Sequence, residues 1–236
     1  MFLKEIKMNK IIIANMKMNL DKIEIINYLK ELEKAKLDNV IFCPTSIYIP
    51  YFIDKKLNVG IQDISKYEKG NHTGEISCMQ AKSLGVKYAI IGHSEIKDKP
   101  KNINKKIKLC KKNDIIPILC VGERKKSIYK EQIVKRQLKN YLKNVYLDKI
   151  MIAYEPKFMV NSENKVNVKY IEKMIKYIKN IVKNYKVNDI IILYGGNVDN
   201  ENIKSIIKVK GLDGFLVGRK SLNIKEFKEL IEVAVF

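Results

Sequence analysis

The sequence predicts an α/β fold, a (β/α)8 barrel of parallel strands. Eight short runs rich in Ile, Val and Leu recur along its 236 residues, and runs without polar alternation are strands buried on both faces, as parallel strands are. Longer amphipathic stretches separate them, so strand and helix alternate to the end of the sequence and imply right-handed crossovers. The first run is followed by Asn15-Met16-Lys17-Met18-Asn19 and not by GxGxxG, which weighs against an open, doubly wound nucleotide-binding sheet.

The elements follow in order. Strands are expected at 10–14 around Ile11-Ile12-Ile13, at 39–43 around Val40-Ile41-Phe42, at 57–62 around Val59-Gly60-Ile61, and at 88–92 around Ala89-Ile90-Ile91. The second half supplies 115–121 with Ile118-Leu119, 149–154 with Ile150-Met151-Ile152, 190–194 with Ile190-Ile191-Ile192, and 214–217 with Phe215-Leu216-Val217. The clearest helix is 168–185, where Ile171, Met174, Ile175, Ile178, Ile181 and Val182 recur at helical spacing and lysines take the other face. A last helix is expected at 224–234. No Gly/Pro/Ser linker or low-complexity block divides the sequence, so 1–236 is expected to form a single domain, with about eight βα units closing the barrel.

Composition narrows the function. With 46% hydrophobic and 31% charged residues, the chain carries a sizeable core and is not a disordered one. No apolar run approaches the ~18 residues of a membrane span, and the start has no signal-peptide pattern, so the cytoplasm is the expected compartment and no membrane partner is expected. Cys43, Cys78, Cys110 and Cys120 are too far apart for a CxxC metal or redox motif, and buried reduced thiols are expected. The net charge of +20 is nearly all lysine, with Arg124, Arg136 and Arg219 the arginines, spread over every helix beside asparagine and isoleucine. That pattern suits a compositional bias and the attraction of small anions better than specific nucleic-acid binding.

Reactive groups of a parallel barrel belong at the carboxyl ends of its strands. There stand Asn15 and Lys17, then His93-Ser94-Glu95, Gly122-Glu123, Glu155-Pro156, Gly195-Gly196-Asn197 and Gly218-Arg219. A desolvated Glu155 suits proton abstraction next to a carbonyl while a neutral His93 polarises the oxygen. Ser94 is expected to cap the next helix and so set His93 beside a helix N-terminus. Lys17 suits an anionic substrate, and main-chain N–H groups around Gly195-Gly196 and Gly218 suit a phosphate. Plainer roles compete: His72 lies in an expected loop, and Glu95, Glu123, Asn15 and Asn197 are also common turn formers. Residues 214–221 imitate a P-loop but have the wrong spacing between their glycines.

Taken in order, Ala14-Asn15-Met16-Lys17-Met18-Asn19, Gly70-Asn71-His72-Thr73-Gly74-Glu75, Ile91-Gly92-His93-Ser94-Glu95, Cys120-Val121-Gly122-Glu123, Ala153-Tyr154-Glu155-Pro156, Tyr194-Gly195-Gly196-Asn197-Val198 and Asp213-Gly214-Phe215-Leu216-Val217-Gly218 resemble the triosephosphate isomerase family along almost the whole sequence. The resemblance implies a TIM barrel that interconverts dihydroxyacetone phosphate and glyceraldehyde 3-phosphate through an enediolate, without metal or organic cofactor, in glycolysis and gluconeogenesis. It implies Glu155 as the base, His93 as neutral electrophile, Lys17 with Asn15 as the electrostatic pair, and Glu95 as a carboxylate beside that lysine. It further implies a homodimer in which Thr73 abuts the partner's site, and a lid of Pro156, Lys157, Phe158, Met159, Val160, Asn161, Ser162 and Glu163.

Departures fall on the phosphate grip. Phe158 stands for the family's tryptophan, Asn161 for a glycine that faces phosphate, Asn197 for serine, and Arg219 for a second glycine after Gly218. Ile96-Lys97 replaces an arginine-containing segment. Residues 1–7 precede the family's usual start, with Met8 an alternative initiator. Two other functions stay open on these departures and on the charge: an aldose-ketose isomerase for a tetrulose phosphate or similar sugar phosphate, and a weakly catalytic barrel that binds anions or nucleic acid.

Overall fold

The computed structural model describes residues 10–32, 37–159 and 166–235. The expected extension 1–7, Met8, and the lid residues Val160, Asn161, Ser162 and Glu163 lie outside them. The elements run β1 (Ile11–Asn15), α1 (Lys22–Leu32), β2 (Val40–Cys43), α2 (Ile49–Asp54), β3 (Asn58–Ile61), α3 (Cys78–Ser83), β4 (Tyr88–Ile91) and α4 (Pro100–Lys112). They continue β5 (Ile116–Val121), α5 (Lys130–Tyr141), β6 (Tyr146–Tyr154), α6 (Val168–Val182), β7 (Lys186–Tyr194), α7 (Ile203–Ile206), β8 (Gly214–Val217) and α8 (Ile224–Val235).

Each strand pairs in parallel with the next, and β8 returns to β1 with Ile12 opposite Phe215, which closes an eight-stranded barrel. Strand alternation divides the apolar residues into two sets. Ile13, Ile41, Ile90, Ile118, Met151, Leu193 and Leu216 pack together inside the barrel. Ile12, Phe42, Ile91, Leu119, Ile152, Tyr194 and Phe215 pack outward against the helices. Burial on both faces is why the runs read as continuously apolar. Where β8 meets β1 only glycine fits, because a Cβ on Gly214 would lie 2.1 Å from the carbonyl oxygen of Ile11.

The helices show the expected stripe. α6 buries Ile171, Met174, Ile175, Ile178 and Val182, and its first turn is held by the Asn167 side chain, which accepts from the Tyr170 N–H at 3.0 Å, a cap worth about 1 kcal/mol. α3 starts with a capping box between Ser77 and Gln80.

Two strands begin earlier than their apolar runs. β6 and β7 extend back through the pairs Tyr146↔Lys186, Leu147↔Val187 and Lys149↔Asp189. Main-chain ladders need no apolar side chains, and here the extensions are mostly exposed, with Lys149 and Asp189 paired at 2.8 Å. The four cysteines are free and buried, as expected. Among the described residues no helix is long and apolar enough to cross a membrane.

Candidate active site

β1 delivers Asn15 and, two residues on, Lys17. Lys17 holds a left-handed backbone, φ 52°, which costs a non-glycine residue about 1 kcal/mol. The conformation is fixed from three sides: the Lys17 N–H donates to Asn15 Oδ1 at 3.2 Å, and the Lys17 carbonyl accepts from Thr45 Oγ1 at 2.9 Å and from Gln62 Nε2 at 2.8 Å. The ammonium donates to Glu95 at 2.6 Å. Both ends of that pair are partly exposed, so it orients the lysine more than it stabilises the fold.

β6 ends on Glu155, whose side chain is 7% exposed. Two glycines make room for it: a Cβ on Gly122 would lie 2.1 Å from the Glu155 carbonyl oxygen, and one on Gly195 would lie 2.7 Å from its Cγ. Gln137 locks Gly122 by accepting from its N–H and donating to its carbonyl, each at 2.9 Å. Burial pushes the Glu155 carboxyl up to about 8, against a hydrogen bond from the Cys120 thiol and the charge of Lys17. A carboxylate raised this far is poised for proton transfer near neutral pH.

β4 is followed by His93, also buried. His93 Nε2 lies 3.5 Å from Glu155 Oε1. Its Nδ1 accepts the main-chain N–H of Glu95 at 3.3 Å, which assigns the ring proton to Nε2, facing the carboxylate. Burial lowers the imidazole's affinity for a second proton, Glu95 opposes this, and the charges of Lys17 and Lys157 add to it. On balance the imidazole is held below its ordinary value, which favours a neutral ring, and the cause expected from the sequence needs correction. Ser94 does not cap a helix: α4 starts at Pro100 with Lys99 at its N-cap position, because the chain turns at 94–95 and runs without regular structure over 97–99 before the proline sets the first helical φ. A turn N–H does the work assigned to a helix terminus.

These groups border a cavity of about 530 Å³, together with Lys157, Asn197, Gly218, Arg219 and Lys220. Gly195 departs from its expected part. Its N–H donates to the Tyr154 carbonyl at 2.9 Å, so it serves the barrel and the approach of Glu155 and is not a phosphate donor. Arg219 is exposed at the cavity's edge. Asn161 lies outside the described residues. Thr73 sits away from this cavity, exposed in the loop after β3, beside a separate hollow of about 380 Å³. His72 is a loop residue stacked on Tyr67 at 3.7 Å.

Sequence reasoning missed Thr45, Gln62, Gln137 and Cys120, which hold the site's main chain or touch its carboxylate. Gln62 is the one polar residue at the end of the third expected run, a position that could have marked it. Gln137 is one polar residue in a polar helix face and carries no such signal.

Lysine, neutral imidazole and raised carboxyl thus converge at the carboxyl end of a closed parallel barrel. The sequence model of the triosephosphate isomerase family matches residues 10–234. Among similar proteins, the triosephosphate isomerase of Wigglesworthia glossinidia brevipalpis is 35% identical over 250 residues, which cover 96% of this chain and 97% of that protein. Those of Buchnera aphidicola subsp. Cinara cedri, 36% over 248 residues (94% and 97%), and Mycoplasma mobile, 36% over 243 residues (94% and 99%), agree. On fold, site and these likenesses together, the chain belongs to the triosephosphate isomerase family and is an intramolecular isomerase.

Proposed function

We propose that this chain interconverts dihydroxyacetone phosphate and glyceraldehyde 3-phosphate, with Glu155 and His93 moving the protons. The observation that carries this is the buried Glu155 carboxyl 3.5 Å from the His93 nitrogen that bears the ring proton. Ionised Glu155 takes a proton from the carbon next to the carbonyl, and His93 Nε2–H donates to the carbonyl oxygen, which gives the enediol(ate). His93, left without its ring proton, takes one from the other enediol oxygen, and Glu155 returns its proton to the neighbouring carbon, so that both groups end as they began. Lys17 and Asn15 offset the developing negative charge, worth most in a water-poor site. Asn161, Asn197, Gly218 and Arg219 join Lys17 around the phosphate, and the scheme calls on no metal or organic cofactor.

A homodimer suits the exposed apolar side chains after the first three strands, Met18, Ile47 and Tyr67 on the connecting segments and Met79 in α3, with Thr73 in the same loop as Tyr67. A single domain, a lid over residues 156–163 and a cytoplasmic setting complete the proposal. The test is turnover of purified protein with triose phosphates in 2H2O. Product carrying one solvent deuterium at the reacting carbon is expected. Faster turnover of a tetrulose phosphate would favour the alternative sugar, and no turnover with salt-sensitive polynucleotide binding would favour the third function.

A further inference from the structure

One buried carboxylate takes no part in the proton transfers. Glu123, just beyond β5, is 0% exposed. An ionised group so placed needs hydrogen-bond donors to offset lost hydration, and among the described residues its carboxylate receives them from two phenols. Tyr154, the last residue of β6 and the neighbour of Glu155, donates at 2.9 Å. Tyr170, in the first turn of α6, donates to the same oxygen. A third nearby phenol, Tyr194, is buried with no hydrogen-bond partner among the described residues.

The main chain of Glu123 is tied to the same segment. Its carbonyl accepts the Lys157 N–H at 2.9 Å, and the Val121 carbonyl accepts the Glu155 N–H at 2.8 Å. Phe158 sets its ring edge-on to Tyr170, centroids 5.8 Å apart. Tyr170 is itself held, by the Asn167 cap on its N–H and by the Lys130 ammonium 5.0 Å over its ring.

We propose that Tyr170 is a positioning residue for the catalytic base: its hydroxyl fixes Glu123, and Glu123 fixes the Tyr154–Phe158 segment that aims Glu155. Removing the hydroxyl leaves a buried carboxylate short of one donor. The end of β5 then shifts or admits water, and Glu155 loses alignment while the phosphate contacts stay.

The inference rests on the isomerase activity proposed above. It is tested by steady-state kinetics of Tyr170→Phe, alone and combined with Glu123→Gln, using triose phosphate with hydrogen or deuterium at the reacting carbon. Expected for Tyr170→Phe are a kcat about tenfold lower, a KM within about twofold of wild type, and a larger deuterium effect on kcat, since misplacing a base slows proton abstraction without weakening binding. In the Glu123→Gln background the same change is expected to cost less than about twofold, because the two residues act as one unit. An unchanged kcat, a rise confined to KM, or an equal loss in both backgrounds would overturn the proposal, as would a Tyr170→Phe chain that does not fold. An inactive wild type would instead sink the isomerase activity and leaves a different signature from a flat Tyr170→Phe result.

Discussion

At the residue scale, the properties of Glu155 follow from burial more than from neighbouring charge. The raised carboxyl binds a proton in the native state across a pH range where the unfolded chain has released it. Stability associated with this group is therefore present below the ordinary carboxylate value of about 4.3 and falls as pH rises toward about 8. Glu155→Gln, which has nothing to ionise, is expected to melt several degrees above wild type at about pH 8.5 and close to it at about pH 4.5. Thermal melts across that range check this, and a constant difference would contradict it. His93 gives the complementary case. Burial and two lysines hold its ring neutral, so an NMR titration is expected to place its protonation below the reference value of about 6.5. A ring still protonated at pH 7 would contradict the role of neutral proton donor.

At the element scale, the strands were legible because burial on both faces writes continuous apolar runs, and six of the eight lie within a residue or so of their expected bounds. The missed beginnings of β6 and β7, 146–148 and 186–189, carry Asp148, Lys186, Asn188 and Asp189, polar residues that main-chain pairing between the two strands draws into the sheet. Ser94 shows a different limit: a good capping residue after a strand does not make a cap when a proline six residues on, Pro100, sets where the helix starts. The turn after β1 was visible as Asn15 and Lys17, but its support comes from Thr45 and Gln62 on two other strand ends, a relation made only by barrel closure. Gln62→Leu removes the donor to both the Lys17 and Cys43 carbonyls. It is expected to cost about 1–2 kcal/mol of stability and to raise KM severalfold with a smaller effect on kcat. Urea unfolding with steady-state kinetics checks this; unchanged values would show that the turn keeps its form unaided.

At the scale of the whole molecule, alternation along the sequence was enough to give the closed barrel, and strand ends were enough to give Lys17, His93 and Glu155 as neighbours. Sequence did not disclose what lies behind them, because the donors that hold Glu123, Gly122 and the Lys17 carbonyl are single polar residues on distant elements with no spacing of their own. The proposed homodimer is likewise a matter of surface. Thr73→Arg places a long cation in the proposed contact and is expected to shift light scattering toward monomer and to lower kcat/KM; a wild type that is fully active as a monomer would contradict it. The central claim is that a buried carboxylate on β6 abstracts the proton, and the most direct test is the kcat of Glu155→Gln with triose phosphate at saturating substrate. A fall of about 10²- to 10⁴-fold, with KM little changed, is the predicted result. Turnover within a few-fold of wild type would contradict the assignment of Glu155 as the base.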